Sequence, residues 1–249
     1  MMSAVCQSHP DAESGNAPIA AAPHFQLPTD RGRRQDLPVP LLTYILTVVG
    51  AYLLGSIPSG FLVAKARGID IRTVGSKNMG ATNVFRTLGK GPGIFVLLVD
   101  GLKGYAAASW LCTLVLHFTA NGESSFTVNV IAGIAAVLGH NYTCWLSFKG
   151  GKGIATTAGV YFALAPLAVG IALGIWIILF IATRYVSLAS IAAAVALPTA
   201  VWITQSNIWL GIVTTFLGAM AIYKHKANIQ RLLAGTENRI SFKKEKPAA

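Results

Sequence analysis

The sequence predicts an all-α polytopic membrane protein: seven transmembrane helices, with the N-terminus outside and the C-terminus cytoplasmic. Three observations predict it. The first is composition. Of 249 residues, 53% are hydrophobic and only 12% charged, where a soluble domain carries roughly 25% charged residues, and the mean hydropathy is +0.57. A soluble fold of this length needs a polar skin that this chain lacks. The second is pattern. The apolar runs are continuous rather than alternating, and backbone groups in lipid must pair within a helix or a closed barrel. The third is charge placement, since Lys and Arg gather in alternate connections between the runs. These features exclude a disordered chain, a disulfide-rich secreted scaffold and a soluble nucleic-acid binder. The formal net charge of +11 then reads as basic loops facing anionic lipid. The three cysteines, Cys6, Cys112 and Cys144, form no CxxC pair, so neither a disulfide framework nor a metal site is expected.

Residues 1–38 stand apart. They hold Pro10, Pro18, Pro23, Pro28 and Pro38, mixed charges and no apolar core segment. They read as a disordered tail and not as a secretory signal. A bilayer core of about 30 Å takes about 20 helical residues to cross. The remaining chain, taken as one domain over 39–240, offers spans at 41–66, 92–118, 127–147, 153–165, 167–183, 187–204 and 207–224. Between the first two lie Arg67, Arg72, Lys77, Arg86 and Lys90, against Asp70. Lys149 and Lys152 lie between the third and fourth, and Arg184 follows the fifth. After the last come Lys224, Lys226, Arg231 and Arg239, then the basic tail 241–249. The connections near 119–126, 166 and 205–206 carry Glu123 and neither Lys nor Arg. Alternation therefore places every basic connection in the cytoplasm. Within 154–183, Pro166 interrupts 30 residues. Two helices there would each reach only roughly 22 Å, and one tilted helix fits the length better. One helix, however, would carry the C-terminal basic cluster outside. Charge bias favours a short hairpin, with local thinning or a re-entrant segment.

Polar groups at membrane depth are expensive and mark function by default. Asp100 and Lys103 share a face of the second span, where a neutralising ion pair facing the bundle is the plainer reading. His140 ends the third span, as a donor toward a ligand or as a packed interfacial histidine. The segment Phe148-Lys149-Gly150-Gly151-Lys152-Gly153 precedes the small-residue helix start Ile154-Ala155-Thr156-Thr157. Glycines let backbone N–H groups approach a ligand, and a helix N-terminus adds partial positive charge. The combination suits a phosphate. A flexible basic loop is the alternative, and the Walker A pattern is not matched.

A second cluster runs from Gly75 to Arg86. Ser76, Asn78, Thr82 and Asn83 supply hydroxyls and amides, and Arg86 a guanidinium suited to bidentate contact with phosphate or carboxylate. A third follows the last span: Lys224-His225-Lys226-Ala227-Asn228-Ile229-Gln230-Arg231, then Gly235 and Glu237. If helical, it sets His225 and Asn228 on one face; a basic tail on anionic lipid is the other reading. All three clusters fall on the expected cytoplasmic side. No HxxxxD pair occurs, since Trp145 stands five after His140 and Gln230 five after His225, and there is no GxSxG elbow.

Together the clusters resemble the acyl-phosphate-dependent glycerol-3-phosphate acyltransferases, the integral-membrane PlsY family of bacteria. Gly75, Ser76, Asn78, Gly80, Ala81, Thr82, Asn83 and Arg86 match its GSxNxGATNxxR motif. Gly139, His140, Phe148, Lys149, Gly150, Gly151, Lys152, Gly153, Ala155 and Thr156 are similar to GHxxPxFxxFKGGKGxAT. Lys224, His225, Asn228, Ile229, Arg231, Leu232, Gly235 and Glu237 are similar to KHxxNIxRLxxGxE. The stretch Tyr52–Pro58 resembles the family's first helix. The likeness covers about 41–240. Thr143 stands where the second motif has Pro and Trp145 where it has Phe, changes expected to alter how the third span ends.

The resemblance implies transfer of a fatty acyl group from acyl phosphate to the 1-hydroxyl of sn-glycerol 3-phosphate, in phospholipid biosynthesis at the bacterial inner membrane. It implies a seven-helix, N-outside topology, no cofactor or metal, and an enzyme elsewhere that makes acyl phosphate. A mixed anhydride needs positioning and charge stabilisation more than a strong nucleophile. That suits a site with Arg86, Lys149, His225 and Asn228 as the reacting set. Ser76, Asn78, Thr82, Asn83, Gly150, Gly151, Lys152 and Gly153 then hold phosphate, supported by Asp100, Lys103, His140 and Glu237. A substrate phosphate is the family's proton acceptor, and His225 the local alternative. A membrane anion or phosphate transporter is the competing function. It would place its site near the midplane, often between inverted repeats, and no repeat is visible.

Overall fold

A computed structural model describes residues 40–119 and 125–240, and every regular element among them is helical. The tails expected at 1–38 and 241–249 lie outside the described residues. Four helical segments, Leu41–Lys65, Lys90–Thr119, Pro166–Thr183 and Val186–Thr204, are long and apolar enough to cross a bilayer. The pair Ile208–Lys224 and Lys226–Leu233, bent by 57°, makes up to five.

The first span is broken. Helix α1 (Leu41–Ser56) stops before Pro58, and α2 (Ser59–Lys65) restarts after it. Proline lacks an N–H and clashes with the preceding turn. Carbonyls freed inside a membrane need other donors. Here Lys103 Nζ donates to the Ile57 carbonyl at 2.8 Å and Thr143 Oγ1 to the Ser56 carbonyl at 2.6 Å. Thr143, a departure from the family motif, supplies a donor that proline could not.

The connection after α2 contains an amphipathic helix, α3 (Ala81–Leu88), ahead of α4 (Lys90–Ala106). A π-helical turn, Ala107–Leu111, joins α4 to α5 (Cys112–Thr119). Helix α6 (Phe126–Asn141) ends six residues short of the expected span, with a 3-10 turn at Cys144–Leu146. The interrupted stretch forms α7 (Ile154–Leu164) and α8 (Pro166–Thr183), followed by α9 (Val186–Thr204), α10 (Ile208–Lys224) and α11 (Lys226–Leu233).

Small residues let these helices approach closely, as membrane packing requires. A Cβ on Gly159 of α7 would sit 1.8 Å from the Gly101 carbonyl of α4, and one on Gly104 2.2 Å from the Thr156 carbonyl. This seam presses the start of α7 onto α4. Between α7 and α10, Tyr161 and Thr214 share a hydroxyl bond at 2.5 Å deep in the bundle.

Candidate active site

The loop before α3 is tied by one side chain. Asn83 Nδ2 donates to the carbonyls of Ile71, Val74 and Asn78, and its Oδ1 accepts from the Ser76 N–H at 2.9 Å. Asn83 is buried and its hydrogen-bonding capacity is spent on the loop. It lines the site and holds the loop in shape. Asn78 Oδ1 likewise accepts from the Gly80 N–H at 2.9 Å. What this knot leaves facing the cavity is Ser76, the Asn78 amide nitrogen, Thr82 and Arg86.

The glycine-rich loop packs on the end of α6. Gly151 N–H donates to the His140 carbonyl at 3.0 Å and Gly150 N–H to the Asn141 carbonyl at 3.2 Å. A Cβ on Gly151 would lie 2.1 Å from His140 Nε2. This corrects the expectation that all the glycines cradle phosphate: the N–H groups of Gly150 and Gly151 cap α6 instead. Their small size lets Lys152 turn inward. Gly153, with φ +84°, starts α7, whose N-terminus has no side-chain cap and lines the cavity at Gly153, Ile154 and Ala155. Lys149 is exposed and does not line the cavity.

Asp100 anchors the floor. Its Oδ1 accepts from Ser59 Oγ at 2.5 Å and from Lys103 Nζ at 2.8 Å, with His140 Nδ1 3.6 Å away. The ion pair expected between Asp100 and Lys103 is present and buried.

The third cluster spans the bend between α10 and α11. His225 Nδ1–H donates to the Ala221 carbonyl at 2.8 Å, which leaves Nε2 as an acceptor. Lys152 Nζ donates to Asn228 Oδ1. Asn228 Nδ2 donates to Glu237 Oε1 at 3.0 Å, and Arg231 Nε to Glu237 Oε2 at 2.8 Å. Glu237 thus orients Asn228, which meets Lys152. Burial pushes the Lys152 ammonium down to about 8, with Glu237 opposing and Arg231 and Arg86 adding to the shift. Burial also pulls Arg86 below its usual value, Glu237 again opposing and Arg231 adding. Several cations share one carboxylate, an arrangement that a bound anion would relieve.

These groups open on a cavity of about 450 Å³. One part is polar, with Ser76, Thr82, Arg86, Lys152, His225 and Asn228; the other is apolar, with Val169, Leu173, Trp176, Phe180, Leu197 and Leu217. Sequence motifs pointed to none of the second set. Ser187 and Ser190 of α9 were missed as well. Ser190 Oγ accepts from Trp176 Nε1 at 3.1 Å, and Ser187 Oγ is buried without a partner among the described residues. Their one signal was hydroxyls within an apolar span.

A helical bundle with membrane-length segments and a cavity that is cationic at one part and apolar at the other defines a membrane protein for amphiphiles with an anionic head. The comparisons sharpen this class. The family model for glycerol-3-phosphate acyltransferase matches residues 45–235. The chain is 52% identical over 199 residues to a glycerol-3-phosphate acyltransferase of Geobacter metallireducens, covering 80% of this chain and 98% of that one. It is 48% identical over 195 residues to one of Geotalea daltonii, covering 78% and 96%. Among solved structures it is similar to PlsY (YgiH), an integral membrane glycerol 3-phosphate acyltransferase, in its glycerol 3-phosphate form. The TM-score is 0.72 at 41% identity, over 80% of this chain and 96% of that one. The lysophosphatidic acid form of PlsY gives 0.70 at 40% identity, with the same coverage. The chain belongs to the glycerol-3-phosphate acyltransferase family.

Proposed function

We propose that this protein transfers a fatty acyl group from acyl phosphate to the 1-hydroxyl of sn-glycerol 3-phosphate, releasing lysophosphatidic acid and inorganic phosphate. The observation that carries this reading is the single cavity in which Arg86 and Lys152 adjoin an apolar compartment between α8, α9 and α10. An acyl chain fits the apolar part and phosphates fit the cations. The hydroxyl oxygen attacks the acyl carbon, the bond from that carbon to the phosphate oxygen breaks, and the phosphate leaves with the electron pair. The hydroxyl proton passes to a substrate phosphate oxygen. Both Glu237 oxygens are engaged, so His225 Nε2 is the local alternative acceptor. Arg86, Lys152 and the uncapped start of α7 stabilise charge on the phosphates and the carbonyl oxygen. Lys149, outside the cavity, is assigned to the rim.

The same reading places the protein in the bacterial inner membrane, with seven spans, the N-terminus outside and the site on the cytoplasmic side. Two tethers support the α7–α8 hairpin. Lys152, before α7, bonds Asn228, and the Arg184 carbonyl, after α8, accepts from the Ile240 N–H at 3.0 Å. Both ends of the pair are thus tied to one C-terminal segment, as a hairpin requires and a single crossing does not. Membrane lipid surrounds the bundle, and acyl phosphate comes from a separate enzyme.

The test is lysophosphatidic acid formation by purified protein with acyl phosphate, acyl-CoA and acyl carrier protein in parallel. Turnover is expected with acyl phosphate and not with the thioesters. Turnover with acyl-CoA alone would overturn the donor assignment. No acylation with any donor, alongside phosphate flux into liposomes, would establish a transporter instead.

A further inference from the structure

Residues Thr236–Ile240 run as a strap from α11 to the turn between α8 and α9. Glu237 fixes its start through Asn228 and Arg231. Its far end is held twice: Ile240 N–H donates to the Arg184 carbonyl at 3.0 Å, and the Arg239 guanidinium lies 4.8 Å from the Tyr185 ring centroid. Between these anchors, the Asn238 carbonyl accepts from Arg86 Nη2 at 2.9 Å. Among the described residues this is the hydrogen bond that holds the Arg86 guanidinium, while Arg86 Nε is buried without a partner. The strap lies past residue 235, where the family model's match stops.

The chemistry of the holder matters. A carboxylate against Arg86 would neutralise it and compete with an incoming phosphate. A backbone carbonyl is a neutral acceptor, so it orients the guanidinium and leaves its charge intact. The nearby carboxylate, Glu237, bonds Asn228 and Arg231 instead. An arginine held before substrate arrives loses less freedom on binding, which favours affinity.

We propose that the strap Asn238–Ile240 is a positioning element for Arg86, holding Nη2 through the Asn238 carbonyl so that the rest of the guanidinium is left for a substrate phosphate. This rests on the reading of Arg86 as a phosphate contact. Arg239 and the Ile240 N–H act through the strap, Arg86 contacts the phosphate, and the Ile240 side chain also lines the cavity.

The experiment uses full-length protein in detergent and calorimetric binding of glycerol 3-phosphate. Arg239→Ala combined with Ile240→Pro removes the aromatic contact and the N–H that hold the far end. It should weaken binding roughly five-fold, as expected for losing one pre-set hydrogen bond. Arg239→Lys combined with Ile240→Val keeps both anchors and should bind as wild type. In an Arg86→Lys background the untethering pair should cost less than about two-fold, because coupled sites are not additive. An undiminished five-fold loss in that background, or no loss in the wild type, would overturn the strap's role. Wild-type binding by Arg86→Lys itself would instead remove Arg86 from the phosphate site. If the untethered protein does not fold, Arg239→Ala set against Arg239→Lys makes the same comparison.

Discussion

Lys152 carries the sharpest consequence at the scale of single residues. It sits half-buried among Arg86, Arg231 and Glu237, and its ammonium is pushed down to about 8. Only the charged form pairs with phosphate. The efficiency of glycerol 3-phosphate use should therefore hold below pH 8 and fall as pH rises through about 8. Lys152→Arg, if active, should move that limb upward, since a guanidinium stays charged; an unchanged profile would detach Lys152 from it. Lys152→Ala should lower kcat/KM about 100-fold, as for a lost charge-assisted hydrogen bond. Lys149→Ala should stay within about three-fold of wild type, because its side chain is exposed and off the cavity. The sequence showed both lysines beside a helix start but not which one turns inward. That choice is made where Gly150 and Gly151 cap α6 and where Asn228, remote in sequence, receives Lys152. Asn83 teaches the same lesson. Its type and motif suggested a ligand contact, and only the surrounding carbonyls of Ile71, Val74 and Asn78 reveal a loop organiser.

At the scale of elements, the apolar runs were legible and their interruptions were not. Pro58 was visible, yet the expected span ran through it to residue 66. The break is stable because Lys103 and Thr143 reach across from other elements to satisfy the freed carbonyls. The π turn at Ala107–Leu111 and helix α3 left no comparable hydropathy signal. Thr143→Val tests the bridging account. It keeps the shape and removes the donor, leaving the Ser56 carbonyl unpaired at the break. A loss of about 1–3 kcal/mol is expected for such a buried group, read as a lower unfolding midpoint in detergent, with the KM for glycerol 3-phosphate near wild type. An unshifted midpoint would mean that the break needs no bridge.

For the whole molecule, charge placement and motif order carried the membrane class and the family, and the family model's match agrees. The apolar compartment stayed hidden for a physical reason. Leu173, Trp176, Leu197 and Leu217 would be apolar whether they faced lipid, core or cavity. The proposed topology makes its own prediction. Single cysteines at the exposed positions 184 and 239, in a background with Cys6, Cys112 and Cys144 replaced, should both react from the cytoplasmic side only. Labelling of position 239 from outside intact cells would sink the seven-span arrangement. The central claim is acyl transfer between two phosphate-bearing substrates held in one cavity. Its most direct measurement is the joint time course of lysophosphatidic acid and inorganic phosphate, from purified protein given acyl phosphate and glycerol 3-phosphate in the presence of EDTA. The account predicts equal amounts of both products, with both dependent on glycerol 3-phosphate. Phosphate release without lysophosphatidic acid, or no reaction until a metal is restored, would contradict it.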